Sequence, residues 1–119
     1  MINRYIKVKT SAEFIHQYTN APDEVRFLSY PHRHMLQIEA IIEVFTDDRE
    51  LEFILVKRTL NEILDGLRLT TVSDRSCEMI AQCILTKLRI KYGTNRNYQI
   101  EVSEDGENSA VLACSKEEN

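Results

Sequence analysis

An α+β fold, with a four-stranded antiparallel sheet and two helices on one face, is predicted by three observations. Two runs before residue 47 alternate β-branched or aromatic residues with polar ones. Two later runs repeat apolar residues at helical spacing, and each stops at a glycine, Gly66 or Gly93. Near the C-terminus, Asp105-Gly106 separates two short apolar runs, and Asp-Gly between such runs is a strong local signal for a β-hairpin.

Each element follows in order. From Arg4 to about Tyr18, Ile6 and Val8 alternate with Lys7 and Lys9, and Phe14 leads into His16 and Tyr18. This period of two predicts the first strand. Asn20, Pro22 and Pro31 make residues 19–31 a loop or short turn. From His32 to about Thr46, the run MLQIEAIIEVF predicts a second long strand. A helix is its rival, and β-branched enrichment tips the balance. Residues 51–65 carry Leu51, Ile54, Leu55, Leu60, Ile63 and Leu64 at helical spacing, with Gly66 placed for a left-handed C-cap. A second helix, about 76–92, has the stripe Met79, Ile80, Cys83, Ile84 and Leu88, with Asp74 or Ser76 as its cap and Gly93 as its stop. Tyr98 to Val102 is the third strand, Glu104 to Asn108 the turn, Ala110 to Cys114 the fourth strand, and 115–119 a polar tail. Two helices on one face leave the other sheet face to be covered, which predicts oligomerisation.

The 119 residues are one domain with room for a modest core. Apolar residues make up 43% and charged residues 29%, the balance of a soluble globular protein. No run approaches the roughly 18 apolar residues of a membrane helix. Charges stand where a signal peptide would be apolar, so a cytoplasmic protein without membrane partners is expected. A net charge of −4, with bases scattered among acids as in Asp47-Asp48-Arg49-Glu50, argues against a nucleic-acid partner and marks those clusters as solvated. Cys77, Cys83 and Cys114 are odd in number and lack metal-pair spacing, which reads as reduced packing thiols.

The three histidines all lie in the first 34 residues, and two form His32-Arg33-His34. On a strand, residues i and i+2 share a face, so His32 and His34 present two imidazoles side by side. If the strand of His16 pairs with theirs, three imidazoles meet. Three histidines with one open position is the ligand count of a catalytic zinc centre. The alternative is three solvated or packing histidines that happen to share one third of the chain.

The element order ββααββ, the His-x-His opening strand 2 and the acid ending strand 3 resemble the 6-pyruvoyl tetrahydropterin synthase family over about residues 4 to 113. That family includes the bacterial 6-carboxytetrahydropterin synthases of deazapurine (queuosine) biosynthesis. The resemblance implies the tunnelling fold, with sheets joined edge to edge into an oligomeric barrel, a hexamer of two stacked trimers, and pockets between subunits. It implies zinc on His16, His32 and His34, with Arg33 where the family has glycine. Glu52-Phe53-Ile54-Leu55-Val56-Lys57 looks like the family's helix 1 opening, and Ser76-Cys77-Glu78-Met79-Ile80-Ala81 its helix 2 opening. Glu104 matches the glutamate that anchors a pterin ring through its N–H groups. Glu78 either helps recognise the ligand or stabilises the start of helix 2.

The departures concern proton transfer. No cysteine precedes His32 in Val25-Arg26-Phe27-Leu28-Ser29-Tyr30-Pro31, where the family has its catalytic one. The family's Leu-Asp-His-x-x-Leu-Asn appears as Leu64-Asp65-Gly66-Leu67-Arg68-Leu69-Thr70, which keeps Asp65 and replaces the catalytic histidine by Gly66. Tyr30 and Asp65 are then the catalytic candidates, with Asp23 and Glu24 weighed beside them as acids that start a helical turn. Arg26, Arg33 and Arg68 are available as cations for a phosphorylated ligand. Two readings follow from the resemblance: a zinc-dependent lyase of pterin or deazapurine metabolism with a substituted relay, or a non-catalytic protein that binds a pterin, purine or nucleotide. A structural oligomer assembled by zinc is a third.

Overall fold

The computed structural model describes residues 1–68, the side chain of Arg68 excepted, and residues 73–117. Along the chain come β1 (Arg4–His16), a 3-10 helix (Asp23–Ser29), β2 (His32–Val44), α1 (Phe53–Arg68), α2 (Cys77–Tyr92), β3 (Tyr98–Glu104) and β4 (Asn108–Cys114). The strands form one antiparallel sheet in the order β1-β2-β3-β4. The 3-10 helix falls in the segment read as a loop or short turn, and Asp23 and Glu24 stand in its first turn, as acids that start a helical turn. It is broken at Val25, whose φ of −132° is not helical.

β1 and β2 pair without a bulge from Arg4↔Val44 to His16↔His32. Even-numbered residues of β1, β2 and β3 turn toward the helices and build the core: Val8, Ala12 and Phe14; Leu36, Ile38, Ala40 and Ile42; Tyr98, Ile100 and Val102. α1 lies over β1 and contributes Val56, Leu60, Ile63, Leu64 and Leu67. α2 lies over β3 and β4 and contributes Ile80, Ala81, Ile84, Leu85 and Leu88. Each fully buried Leu or Ile adds about 1.5–3 kcal/mol of transfer free energy.

Helix 1 departs from expectation at both ends. Ile54 and Leu55 are exposed, and Val56 is the first residue to turn inward. The Glu52 carboxylate accepts the Leu55 N–H and caps the first turn. Gly66 does not end the helix. It lacks a positive φ, and α1 continues to Arg68 because Leu67 gains a buried place in the core. Leu69 and Thr70, which complete the motif after helix 1, lie outside the described residues. In helix 2, Ser76 rather than Asp74 is the cap, accepting the Met79 N–H at 3.1 Å. Met79 faces out.

The sheet face away from the helices is mixed, with ion pairs set among the exposed side chains of Tyr5, Ile15, Met35 and Val111. Lys7 and Lys9 reach Glu39 at 3.9 and 3.2 Å, and Arg33 pairs with Glu13 at 3.1 Å. An antiparallel sheet of this kind is hydrated on one side. The ion pairs let this face stand in water without a covering layer, and the strands at the edges of the sheet are β1 and β4.

The acids of residues 47–50 are not all merely solvated. Glu50 accepts the Phe45 N–H at 2.8 Å and takes the Arg96 guanidinium at 2.9 Å, while Arg96 also donates to the Glu43 carbonyl at 3.0 Å. Buried Glu43 accepts the Asn97 N–H, so this cluster ties the β2 exit to the entry of β3. The Phe45 N–H, and after it Arg96, holds the Glu50 carboxyl below its ordinary range. A carboxylate depressed in the folded state stabilises above its unfolded pKa, and that contribution is lost as pH falls through the lower, folded value. Replacing Glu50 by Gln is expected to cost about 1 kcal/mol, a melting temperature lower by roughly 3–6 °C at pH 7. The gap between variant and wild type should narrow as pH falls below the ordinary carboxylate range, as read by circular dichroism melts.

Candidate metal centre

The antiparallel register brings the histidines together. His16 sits directly opposite His32, and His34 is opposite Phe14, so all three fall on the helix-facing side at one end of the sheet. The ring centroids are 4.5 Å apart for His16–His32 and 4.9 Å for the two pairs with His34. One nitrogen from each ring lies within 4.8 Å of the others. Among the described residues this is the group of side chains arranged to hold a metal ion. Arg33, between the two β2 histidines, points to the opposite face and its partner Glu13.

Each imidazole is oriented by its Nδ1. That of His32 lies 2.7 Å from the Tyr30 carbonyl, that of His34 2.7 Å from Asp105 Oδ2, and that of His16 3.4 Å from the Arg75 carbonyl. All three partners are acceptors, so in a neutral ring the proton sits on Nδ1 and the lone pair on Nε2. Burial, above all, pushes the His16 pKa below its ordinary value and favours that neutral form. Its Nε2 is buried without a hydrogen-bond partner. A buried unpaired acceptor beside two more imidazoles is satisfied by a cation, so the donor set fits a transition metal ion.

Asp105 belongs to the centre through the β3–β4 turn. Asp105 and Gly106 have φ of 54° and 74°, the positive values that a type I′ turn requires at both central positions. Asp105 Oδ1 accepts the Met35 N–H at 2.9 Å while Oδ2 holds His34. The His34 ring, then the Met35 amide, keeps the Asp105 carboxyl below the usual carboxylate range. The sequence reading took this residue only as half of an Asp-Gly turn signal.

Glu104, the last residue of β3, comes to the histidines as well. Its Oε1 is 3.7 Å from His16 Nε2 and its Oε2 is 3.6 Å from His34 Nε2. The Cys77 thiol, 3.5 Å from Oε1, donates to it. Burial, and then the Glu104 charge, push that thiol up to about 12, so it remains protonated. Cys77 is a free thiol packed against the core, as expected, and it also enters the site from the first turn of α2.

A cavity of about 520 Å³ adjoins the histidines and is walled by His16, His32, Cys77, Glu78, Glu104 and Asn108, among others. That volume suits a small organic ligand. Glu78 thus reaches the site region while also standing in the first turn of α2. Tyr30 supplies its carbonyl, and its phenol is 67% exposed. Asp65 is exposed on α1 and does not line the cavity. Arg26 pairs with Asp23, the Arg68 side chain lies outside the described residues, and Arg75 is a cation on the cavity wall that the sequence reading missed. A larger concavity, about 620 Å³, lies at the opposite end of the sheet between Arg4 and Phe53, away from the histidines.

No family model matches the chain, and no curated protein matches it. Among solved structures, the crystal structure of uncharacterized protein WS1659 from Wolinella succinogenes is similar in fold. It superposes with a TM-score of 0.59 at 13% identity, covering 94% of this chain and 98% of that one. Among the described residues, no helix is long and apolar enough to cross a membrane.

Outer-shell partners of metal-bound histidines commonly change affinity about 10–100-fold when removed. Asn keeps the positive φ of the turn and one acceptor for Met35, so Asp105→Asn removes both the charge and the acceptor that face His34 Nδ1. It is expected to weaken metal binding by roughly tenfold, as read by competition with a chromophoric chelator.

Proposed function

We propose that this protein is a divergent, zinc-binding relative of the 6-pyruvoyl tetrahydropterin synthases that holds a pterin or purine-type ligand beside the metal. The observation that carries the reading is the convergence of three Nε2 lone pairs, each ring oriented by an acceptor on Nδ1. Three imidazoles suit zinc, and neutral nitrogen donors on a rigid sheet end need little rearrangement to receive it. The cavity beside the histidines, with carboxylates at Glu78 and Glu104, supports a ligand rich in N–H groups, such as the guanidine-like edge of a pterin or guanine.

Zinc held there would act as a Lewis acid toward a hydroxyl or carbonyl oxygen of the ligand. The chain's own residues bind and orient. Asp105 and the Tyr30 carbonyl set the imidazoles, Ser76 anchors the start of α2, and that turn carries Cys77 and Glu78 to the cavity wall. Two of the synthases' relay positions are changed here, with no cysteine before His32 and Gly66 in place of the histidine, while Asp65 is kept. This absence favours ligand binding, or altered chemistry, over the ordinary lyase reaction. A catalytic part for Tyr30 or Asp65 belongs to this proposal only across a subunit boundary, since both side chains are exposed within one chain. The edge strands β1 and β4 support a barrel of several copies, proposed as a cytoplasmic hexamer.

Metal analysis of untagged protein should find close to one zinc per chain, and the double substitution His32→Ala/His34→Ala should abolish it. Absence of zinc from wild-type protein supplied with the metal would reduce the histidines to a packing cluster. Calorimetry with neopterin and with guanosine should show binding to the zinc-loaded protein; silence with both would remove the pterin or purine assignment. Light scattering at micromolar concentration should give a mass of several chains, and a monomer would sink the barrel.

A further inference from the structure

The acceptors around the three histidines outnumber the protons available to them. With each Nδ1–H directed outward to Arg75, Tyr30 or Asp105, the Nε2 atoms are lone-pair donors. The Glu104 carboxylate nevertheless stands over two of them, one oxygen toward His16 and the other toward His34, at 3.7 and 3.6 Å. These separations exceed a normal N–H···O hydrogen bond of about 2.7–3.2 Å. A cation between the carboxylate and the rings, proton or metal ion, resolves the contact, and a metal ion is the one that three clustered imidazoles can share. Two ligands of one tetrahedral zinc ion, with metal–ligand bonds near 2.0–2.2 Å, stand roughly 3.3–3.5 Å apart. The observed spacings fall within a few tenths of an ångström of that range.

We propose that Glu104 is a fourth protein ligand of the metal centre, closing in the ligand-free protein the position that three imidazoles alone leave open. Its placement is built from three sides. β3 pairs Glu104 with Leu36, two residues beyond His34 on the same face of β2. The β3–β4 turn that begins at Glu104 also delivers Asp105 to His34. The Cys77 thiol donates to Oε1 and leaves Oε2 unengaged by it. A thiol in this position holds the carboxylate as an outer-shell donor. The set is then three histidines and one glutamate, and a ligand entering the cavity reaches the metal only as the carboxylate withdraws.

This assignment rests on the metal-binding reading above, and cobalt separates the two. The wild type, Glu104→Gln, Glu104→Ala and His16→Ala proteins would each be titrated with Co(II), with visible absorption recorded, and with Zn(II) against a chelator. The expected result is an intense four-coordinate Co(II) band in the wild type. Zn(II) affinity should fall tenfold or more in both Glu104 variants, with a changed cobalt band and partial recovery of it when acetate is added to Glu104→Ala. An unchanged affinity and band in both variants, with metal lost in His16→Ala, would overturn Glu104 as a ligand and leave the three-histidine centre standing. Failure of the wild type to take up either metal would overturn both. Circular dichroism of the isosteric Gln variant guards against reading a folding defect as a ligand loss.

Discussion

The uninterrupted antiparallel register of β1 and β2 is the constraint on which the rest of the molecule depends. Thirteen residues of each strand pair in sequence from Arg4↔Val44 to His16↔His32. Because side chains alternate faces, a slip of one residue would exchange the core for the solvated face along the whole pair. It would also send His32 and His34 to opposite sides from His16. The register that buries Val8, Ala12, Leu36 and Ile38 is therefore the same one that assembles the three imidazoles. Core and site are specified by one choice.

What turns three neighbouring rings into a metal-binding geometry is the set of acceptors behind them. Two are backbone carbonyls, at Tyr30, where the chain enters β2, and at Arg75, where it approaches α2. The third is a carboxylate on a turn whose positive φ values suit Asp-Gly. These partners choose the tautomer of a neutral ring, and that tautomer leaves a lone pair on each inward nitrogen. Glu104 and Cys77 add a second tier at the same end of the sheet. The opposite end is closed by Arg96, Glu50 and Glu43, a cluster that orders the chain between strands.

The histidines were legible in the sequence because the i, i+2 spacing on a strand is a local rule and His16 ends the neighbouring strand. Helix 2 was legible for the same reason: Ser76 and Gly93 bound a single apolar stripe. Helix 1 was misjudged at Gly66, since a glycine costs a helix only about 1 kcal/mol and the burial of Leu67 outweighs that. Asp105 was hidden by its own turn signal, which explained the residue without reference to His34. Cys77 was hidden because its neighbour in space, Glu104, is 27 residues away. The alternation that puts Lys7 and Lys9 outward was readable, yet these lysines and Glu13 gain ion-pair partners only once β1 and β2 are in register.

Periodicities of two and of about 3.6, the Asp-Gly turn and the Ser76 cap are local preferences, so the sequence by itself determined the kinds of element and most of their boundaries. The tertiary structure alone decided which nitrogen of each imidazole faces inward, that Asp105 stands behind His34, and that Glu104 and Cys77 join the histidines. Those outcomes depend on partners 59 and 71 residues apart for His16–Arg75 and His34–Asp105. No local rule reaches that far: such pairs meet only after the sheet has chosen its register and the helices have covered one face.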